Sequence, residues 1–127
     1  MTILKKLSIY TSEGRRYGSR PLYAVILATA LEQGVYSAIA LKAMDGFGPQ
    51  MAIPTTNGMA LDSDLPLEVR LIDYSSVIEP FLDNYQEMLS SCLVTLEDVE
   101  VVQSPAPPTF SSVVSEPEMA DGINQDY

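Results

Sequence analysis

The chain contains no histidine, a single cysteine, and only seven lysines and arginines among 127 residues. Without histidine there is no Ser-His-Asp or Cys-His catalytic unit and no His-ligated zinc. One cysteine cannot close an internal disulfide. Cys92 lies between apolar segments and is expected to be a small buried side chain rather than a nucleophile. No stretch reaches the ~20 apolar residues that span a bilayer. The opening "MTILKKLSIY" sets its lysines inside an apolar alternation with no long apolar run behind them, which is not a secretory pattern. A cytoplasmic protein with no direct membrane insertion is expected.

The scarcity of positive charge has a second consequence. Net charge is −10, so nucleic acid is not expected as a partner, because phosphate binding needs basic surface. The charge is uneven. Residues 1–42 hold six of the seven cations (Lys5, Lys6, Arg15, Arg16, Arg20, Lys42) against two acids, a net of +4. Residues 43–127 hold one arginine against 15 acids, a net of −14. Arg15, Arg16 and Arg20 crowd into "SEGRRYGSRPLY". A basic patch on an acidic protein can bind a small anion, or it can balance acids within the fold or across a subunit contact.

The patterns of the chain predict an α+β domain. Residues 3–10 (ILKKLSIY) read as a strand. Residues 11–20 read as a loop, with Pro21 at the first position of a helix. Leu22, Val25, Ile26, Thr29 and Ala30 recur at helical spacing, and Gly34 suits the left-handed C-terminal position. Residues 35–44 fit a strand or a helix by propensity, and the flanking Gly34 and Asp45-Gly46 favour a strand. "LPLEVRLID" alternates, with Leu65, Leu67, Val69 and Leu71 on one side. Ser76 and Glu79 are spaced as a capping box. Val77, Ile78, Phe81, Leu82, Tyr85, Met88 and Leu89 then form one apolar stripe, with Pro80 taken to lie near the first turn. "LVTLEDVEVV" supplies the last strand.

Between these elements lies a connection of unusual length. Residues 45–64 carry Gly46, Gly48, Pro49 and Pro54 in their first half. Connections this long are usually functional or disordered. Asn57-Gly58 is also a tight-turn signal, so a mobile functional loop and an extended hairpin both remain open. Beyond Gln103 the composition shifts to prolines, serines and acids with no cation. Residues 103–127 are expected to be a disordered acidic tail, either solubilising or a recognition segment anchored by Phe110, Val113 and Val114. The folded unit is expected over residues 1–102.

Two helices on one face of a four-stranded antiparallel sheet is the ferredoxin-like split βαβ arrangement (βαββαβ). RNA-binding members of that fold carry stacking aromatics on central strands, and "LPLEVRLID" has none. The carboxylates Asp62, Asp64, Glu97 and Asp98 are generic, and "LDSD" lacks the ligand count and spacing of a calcium loop. No catalytic or metal-binding residues are assigned, and no enzyme is expected.

Several stretches, in order, resemble one family: the PII-like proteins of the domain-of-unknown-function family one hundred and ninety, related in fold to the PII nitrogen signal transducers. The matching residues are Glu13, Arg16, Tyr17 and Gly18 with Pro21-Leu22-Tyr23, then Gly46-Phe47-Gly48, Ile53, Thr55, Asp64-Leu65-Pro66, Ile72-Asp73, and Thr95 through Val101 (TLEDVEV). The resemblance spans about residues 3–102 and leaves out the tail. It implies a homotrimer whose sheets line the interior, with small ligands in clefts between subunits and the long loop contacting partner proteins. A membrane transporter or channel is the implied partner, and an adenine nucleotide the implied ligand.

On this basis Arg15, Arg16, Gly18, Arg20, Gly46, Phe47, Gly48 and Gln50 are the expected ligand-binding residues. Met51, Ile53, Thr55, Asn57 and Met59 are the expected partner loop. The match departs from PII proteins in two places. Between the second helix and the last strand, "LSSCLVTLED" has no glycine or lysine to cradle phosphates. Gln50 matches a PII glutamine, but its neighbours are Pro49 and Met51 where PII proteins have basic residues. The arginine stretch, beside a helix N-terminus that favours anions, is therefore the expected anion donor. Its alternative is structural, with Arg16 paired to Glu13, Glu97 or Asp98. The alternative function is a ligand-free adaptor oligomer.

Overall fold

A computed structural model describes residues 1–49 and 64–105. Its elements in chain order are β1 (Thr2–Ser12), β2 (Arg16–Tyr17), β3 (Arg20–Pro21), α1 (Leu22–Glu32), β4 (Ser37–Lys42), β5 (Pro66–Asp73), α2 (Ser75–Asn84) and β6 (Leu93–Val101). Four strands form one sheet in the order β4-β5-β1-β6. Every neighbouring pair is antiparallel. This is the expected ferredoxin-like order, in which each helix returns the chain across a neighbouring strand.

The sheet's two faces differ because side chains alternate along each strand. Leu7 and Ile9 lie opposite Leu71 and Val69 in the β1–β5 register, and all four are buried beneath the helices. α1 contributes Leu22, Ile26 and Ala30 to this core, and α2 contributes Ile78 and Phe81. Met88 and Leu89, from the turns after α2, complete it. Burying each large side chain stabilises by roughly 1.5–3 kcal/mol. The Phe81 and Tyr85 rings pack at 4.9 Å between centroids.

The opposite face has no helix over it. It carries Leu4, Lys6, Ser8 and Tyr10 of β1, Glu68, Arg70 and Ile72 of β5, Ile39 and Leu41 of β4, and Leu93, Thr95, Glu97, Val99 and Val101 of β6. Charges sit at its centre, with Glu68 paired to Arg70 at 2.8 Å and Lys6 to Glu97 at 3.3 Å. Apolar side chains flank them, and Ile39, Leu41 and Leu93 are exposed.

α1 ends as its sequence predicts. Gly34 has φ +75°. Gly34 N–H donates to the Leu31 carbonyl and Val35 N–H to the Ala30 carbonyl, which is the Schellman pattern. Several local expectations need correction. Residues 11–20 are not simply a loop: β2 and β3 form a small hairpin, and Gly18 turns it with φ +65°. Pro21 is the cap residue before α1 rather than its first residue.

The Ser76–Glu79 capping box does not form. α2 starts one residue earlier, after Tyr74, and Ser75 Oγ donates to Glu79 Oε2 at 2.7 Å. Asp73 displaces the box: its carboxylate accepts from Tyr74 N–H at 2.6 Å and Tyr36 N–H at 2.9 Å. Pro80 falls in the second turn of α2. The residue whose carbonyl loses its donor there is Ser76, which is exposed, so water can serve it. The helix ends at Asn84, and the rest of the expected stripe lies in turns. Met51, Ile53, Thr55, Asn57, Met59 and Gln50 lie outside the described residues, as does the chain from residue 106 onward.

Candidate functional site

One end of the sheet brings the chemistry-bearing stretches together. There β1 stops at Ser12, opposite Pro66 at the start of β5. β4 ends at Lys42, and β6 begins at Leu93 opposite Tyr10. The arginine loop leaves β1 at this end, and the Gly46-Phe47-Gly48 stretch leaves β4 beside it. Between them lies a cavity of about 160 Å³, lined by Thr11, Arg15, Phe47, Gly48, Pro66 and Leu93 among others.

The three arginines differ in what they do. Arg15 lines the cavity. Its own backbone is fixed at both ends: its N–H donates to the Ser12 carbonyl, and its carbonyl accepts from Leu22 N–H at 2.8 Å. That second bond spends the first amide of α1, so the helix end offers fewer free donors than its position suggests. Arg16 braces its own hairpin, its guanidinium donating to the Ser19 carbonyl. Arg20 is exposed on β3.

The structural pairings expected for Arg16 do not occur within the chain. Glu13 pairs with Lys42 at 3.0 Å, Glu97 with Lys6, and Asp98 with Lys5. Strand register decides this, because Lys6 faces Glu97 and Lys5 faces Asp98 directly across β1–β6. The Asp98 hydrogen bond raises the Lys5 pKa above its ordinary value.

Two groups at the cavity were not among the expected site residues. The Thr11 hydroxyl is buried and makes no hydrogen bond of ordinary geometry, only a weak interaction with the Cys92 thiol. A buried polar group left this way is costly. Its signal in the sequence was slight: a threonine two places beyond Ile9 on the core-facing side of a strand. Cys92 itself is half-buried. Burial pushes its thiol pKa up, against smaller opposing effects of Ser91, Thr11 and Arg15. The protonated thiol is favoured, which argues against a nucleophile.

The connection between α2 and β6 closes this end of the sheet and brings no cation to it. Residues 85–92 read YQEMLSSC, with Met88 and Leu89 turned into the core. Among the described residues no group of histidine, cysteine, aspartate or glutamate side chains could hold a metal ion. No helix among them is long and apolar enough to cross a membrane.

A βαββαβ domain with a basic loop and a glycine-rich stem at one end of its sheet is the frame of PII-like proteins. The family model described as "DUF190: Uncharacterized ACR" matches residues 4–101, and the chain belongs to this family. A UPF0166 protein of Aquifex aeolicus (strain VF5) is 36% identical over 104 residues, covering 80% of this chain and 98% of that protein. Solved structures share the fold at lower identity. CPII of Thiomonas intermedia K12, in a structure bound to ADP, AMP and acetate, is 18% identical with a TM-score of 0.55, covering 80% of this chain and 90% of that one. A PII-like signalling protein of Thermus thermophilus is 17% identical with a TM-score of 0.53, covering 79% and 90%.

Proposed function

We propose that this protein is a PII-like regulatory binding protein without catalytic activity. It works as a cytoplasmic homotrimer that senses a small anionic ligand, an adenine nucleotide, and acts on a protein partner through residues 45–64. A membrane transporter or channel is the partner class. The observation that carries the reading is the cavity at the end of the sheet. Arg15 and the Phe47-Gly48 stem are about thirty residues apart in sequence and line one space. An apolar wall with one guanidinium suits a ring bearing a negative group. The ADP- and AMP-bound relative of the same fold supports the choice of nucleotide. Gly18, Arg20, Gly46 and Gln50 complete the proposed ligand set, and Met51, Ile53, Thr55, Asn57 and Met59 the partner surface.

Calorimetric titration with ATP, ADP, AMP and cyclic AMP tests this. Binding of at least one is expected, and Arg15→Ala should abolish it. A ligand at 100 times its Kd should also add about 2.7 kcal/mol to stability in a thermal melt. One observation favours a second reading, a ligand-free adaptor: residues 85–92 supply no cation for phosphates. If no nucleotide gives heat while the trimer still captures its partner, the adaptor reading replaces the first.

A further inference from the structure

The arginine loop is held by the two stems of the long connection. Gly14 N–H donates to Asp64 Oδ1 at 2.8 Å, across fifty residues of sequence. Next to it, Glu13 N–H donates to the Leu65 carbonyl at 3.0 Å. The Glu13 carboxylate reaches the other stem and pairs with Lys42 Nζ at 3.0 Å. The stems also bond to each other, Ala43 N–H donating to the Pro66 carbonyl at 2.9 Å. Arg15, the cavity's guanidinium, directly follows Gly14.

We propose that Asp64 is a positioning residue that locks the arginine loop to both stems, so that Arg15 and the stems shift as one body. The inference rests on the reading above, that this end of the sheet is a ligand site.

Two features single out Asp64. The Gly14 amide is exposed, so water could serve it; the bond to Asp64 fixes position rather than rescuing a buried donor. The fit is also close on the glycine side. A Cβ at residue 14 would stand 3.0 Å from the same carboxylate oxygen, so any other residue pushes Asp64 away. Glycine and aspartate are thus matched at this contact. Asp64 ends the long connection and lies two residues before Pro66, which lines the cavity. A ligand that draws Arg15 toward it therefore moves Gly14, Asp64 and the second stem. Through Pro66 and Ala43 the same movement reaches the first stem. Coupling of this kind is reciprocal: holding the stems in one position must alter ligand affinity by the same factor.

Residue-resolved hydrogen exchange on the full chain tests the proposal. The reporters are the Glu13 and Ala43 amides, whose own hydrogen bonds Asp64→Ala leaves in place. Without ligand, Asp64→Ala is expected to speed exchange at both by about tenfold, the effect of losing one hydrogen bond of ~1.4 kcal/mol. Asp64→Asn keeps an acceptor oxygen and should stay close to the wild type. Faster exchange confined to Gly14 overturns the proposal, and so does an Asn variant that behaves like the Ala variant. With ADP as probe, the wild type should gain protection at Arg15 and Ala43 together, and Asp64→Ala at Arg15 alone. Equal protection of Ala43 in both proteins overturns the coupling. If ADP protects nothing in the wild type, the nucleotide reading fails, while the ligand-free comparison still decides the lock.

Discussion

Asp73 shows how much one side chain can carry. It is buried, and each of its oxygens serves a different backbone amide, Tyr36 on the way into β4 and Tyr74 at the start of α2. Asp73→Ala would strand both donors and should cost on the order of 3 kcal/mol. Urea unfolding checks this as a lower midpoint at unchanged slope. Asp73→Asn can replace only one oxygen and should fall between. Thr11 is the converse case. Its hydroxyl is buried without a proper partner, so Thr11→Val should leave the ligand-free melting temperature unchanged or slightly higher. If the hydroxyl meets the ligand, the same variant weakens binding, and calorimetry separates the two effects.

Glu68 sets a pH dependence at the same scale. The hydrogen bond from Arg70 holds its carboxyl below the ordinary 4.5, against the opposing pull of desolvation. A depressed folded value means the pair stabilises above pH ~4.5 and loses that contribution as pH falls through the lower folded value. The pair is partly exposed, so the amount is below ~1 kcal/mol. Glu68→Gln should flatten the acid limb of stability against pH by that much, measured as urea midpoints from pH 6 down to pH 3.

Among the elements, α1 and the arginine hairpin illustrate two kinds of turn. Gly34 closes α1 at φ +75°, and a Cβ there would meet nothing within 4 Å. Gly34→Ala therefore costs backbone strain alone, about 1 kcal/mol, which lowers Tm by roughly 4–8 °C in a domain of this size. The glycine was legible because it follows a helical period and precedes a β-rich run. The β2–β3 hairpin was not. Its strands are two residues long, too short for any alternation to register, and its pairing depends on Arg16 bracing Ser19. The capping box failed for a related reason. Serine and glutamate at the right spacing are local, but Asp73 binds an amide of β4 from 37 residues away, and that tertiary bond moved the helix start.

At the scale of the molecule, the open face of the sheet demands an account. Ile39, Leu41 and Leu93 are 40–46% exposed there, around a centre of paired charges. In the proposed trimer this face meets its copies, burying the apolar rim. Leu41→Glu should leave the protomer fold intact, because the side chain takes no part in the core. It should reduce the mass in sedimentation from three chains, about 42 kDa, to the single-chain 13.9 kDa. A mass of one chain in the wild type would remove the trimer from the proposed function.

The sequence by itself determined the element order, the core-facing side of β5 and the family. These follow from periodicity, from glycine placement and from short motifs, all of them local along the chain. It also marked the arginines and the Gly46-Phe47-Gly48 stretch as chemically unusual. Only the tertiary structure decided which arginine faces the cavity, that Lys42 rather than Arg16 pairs with Glu13, and that Asp64 holds Gly14. Those choices depend on strand register and on contacts between segments up to fifty residues apart, and no local pattern in a chain encodes which distant partner will arrive.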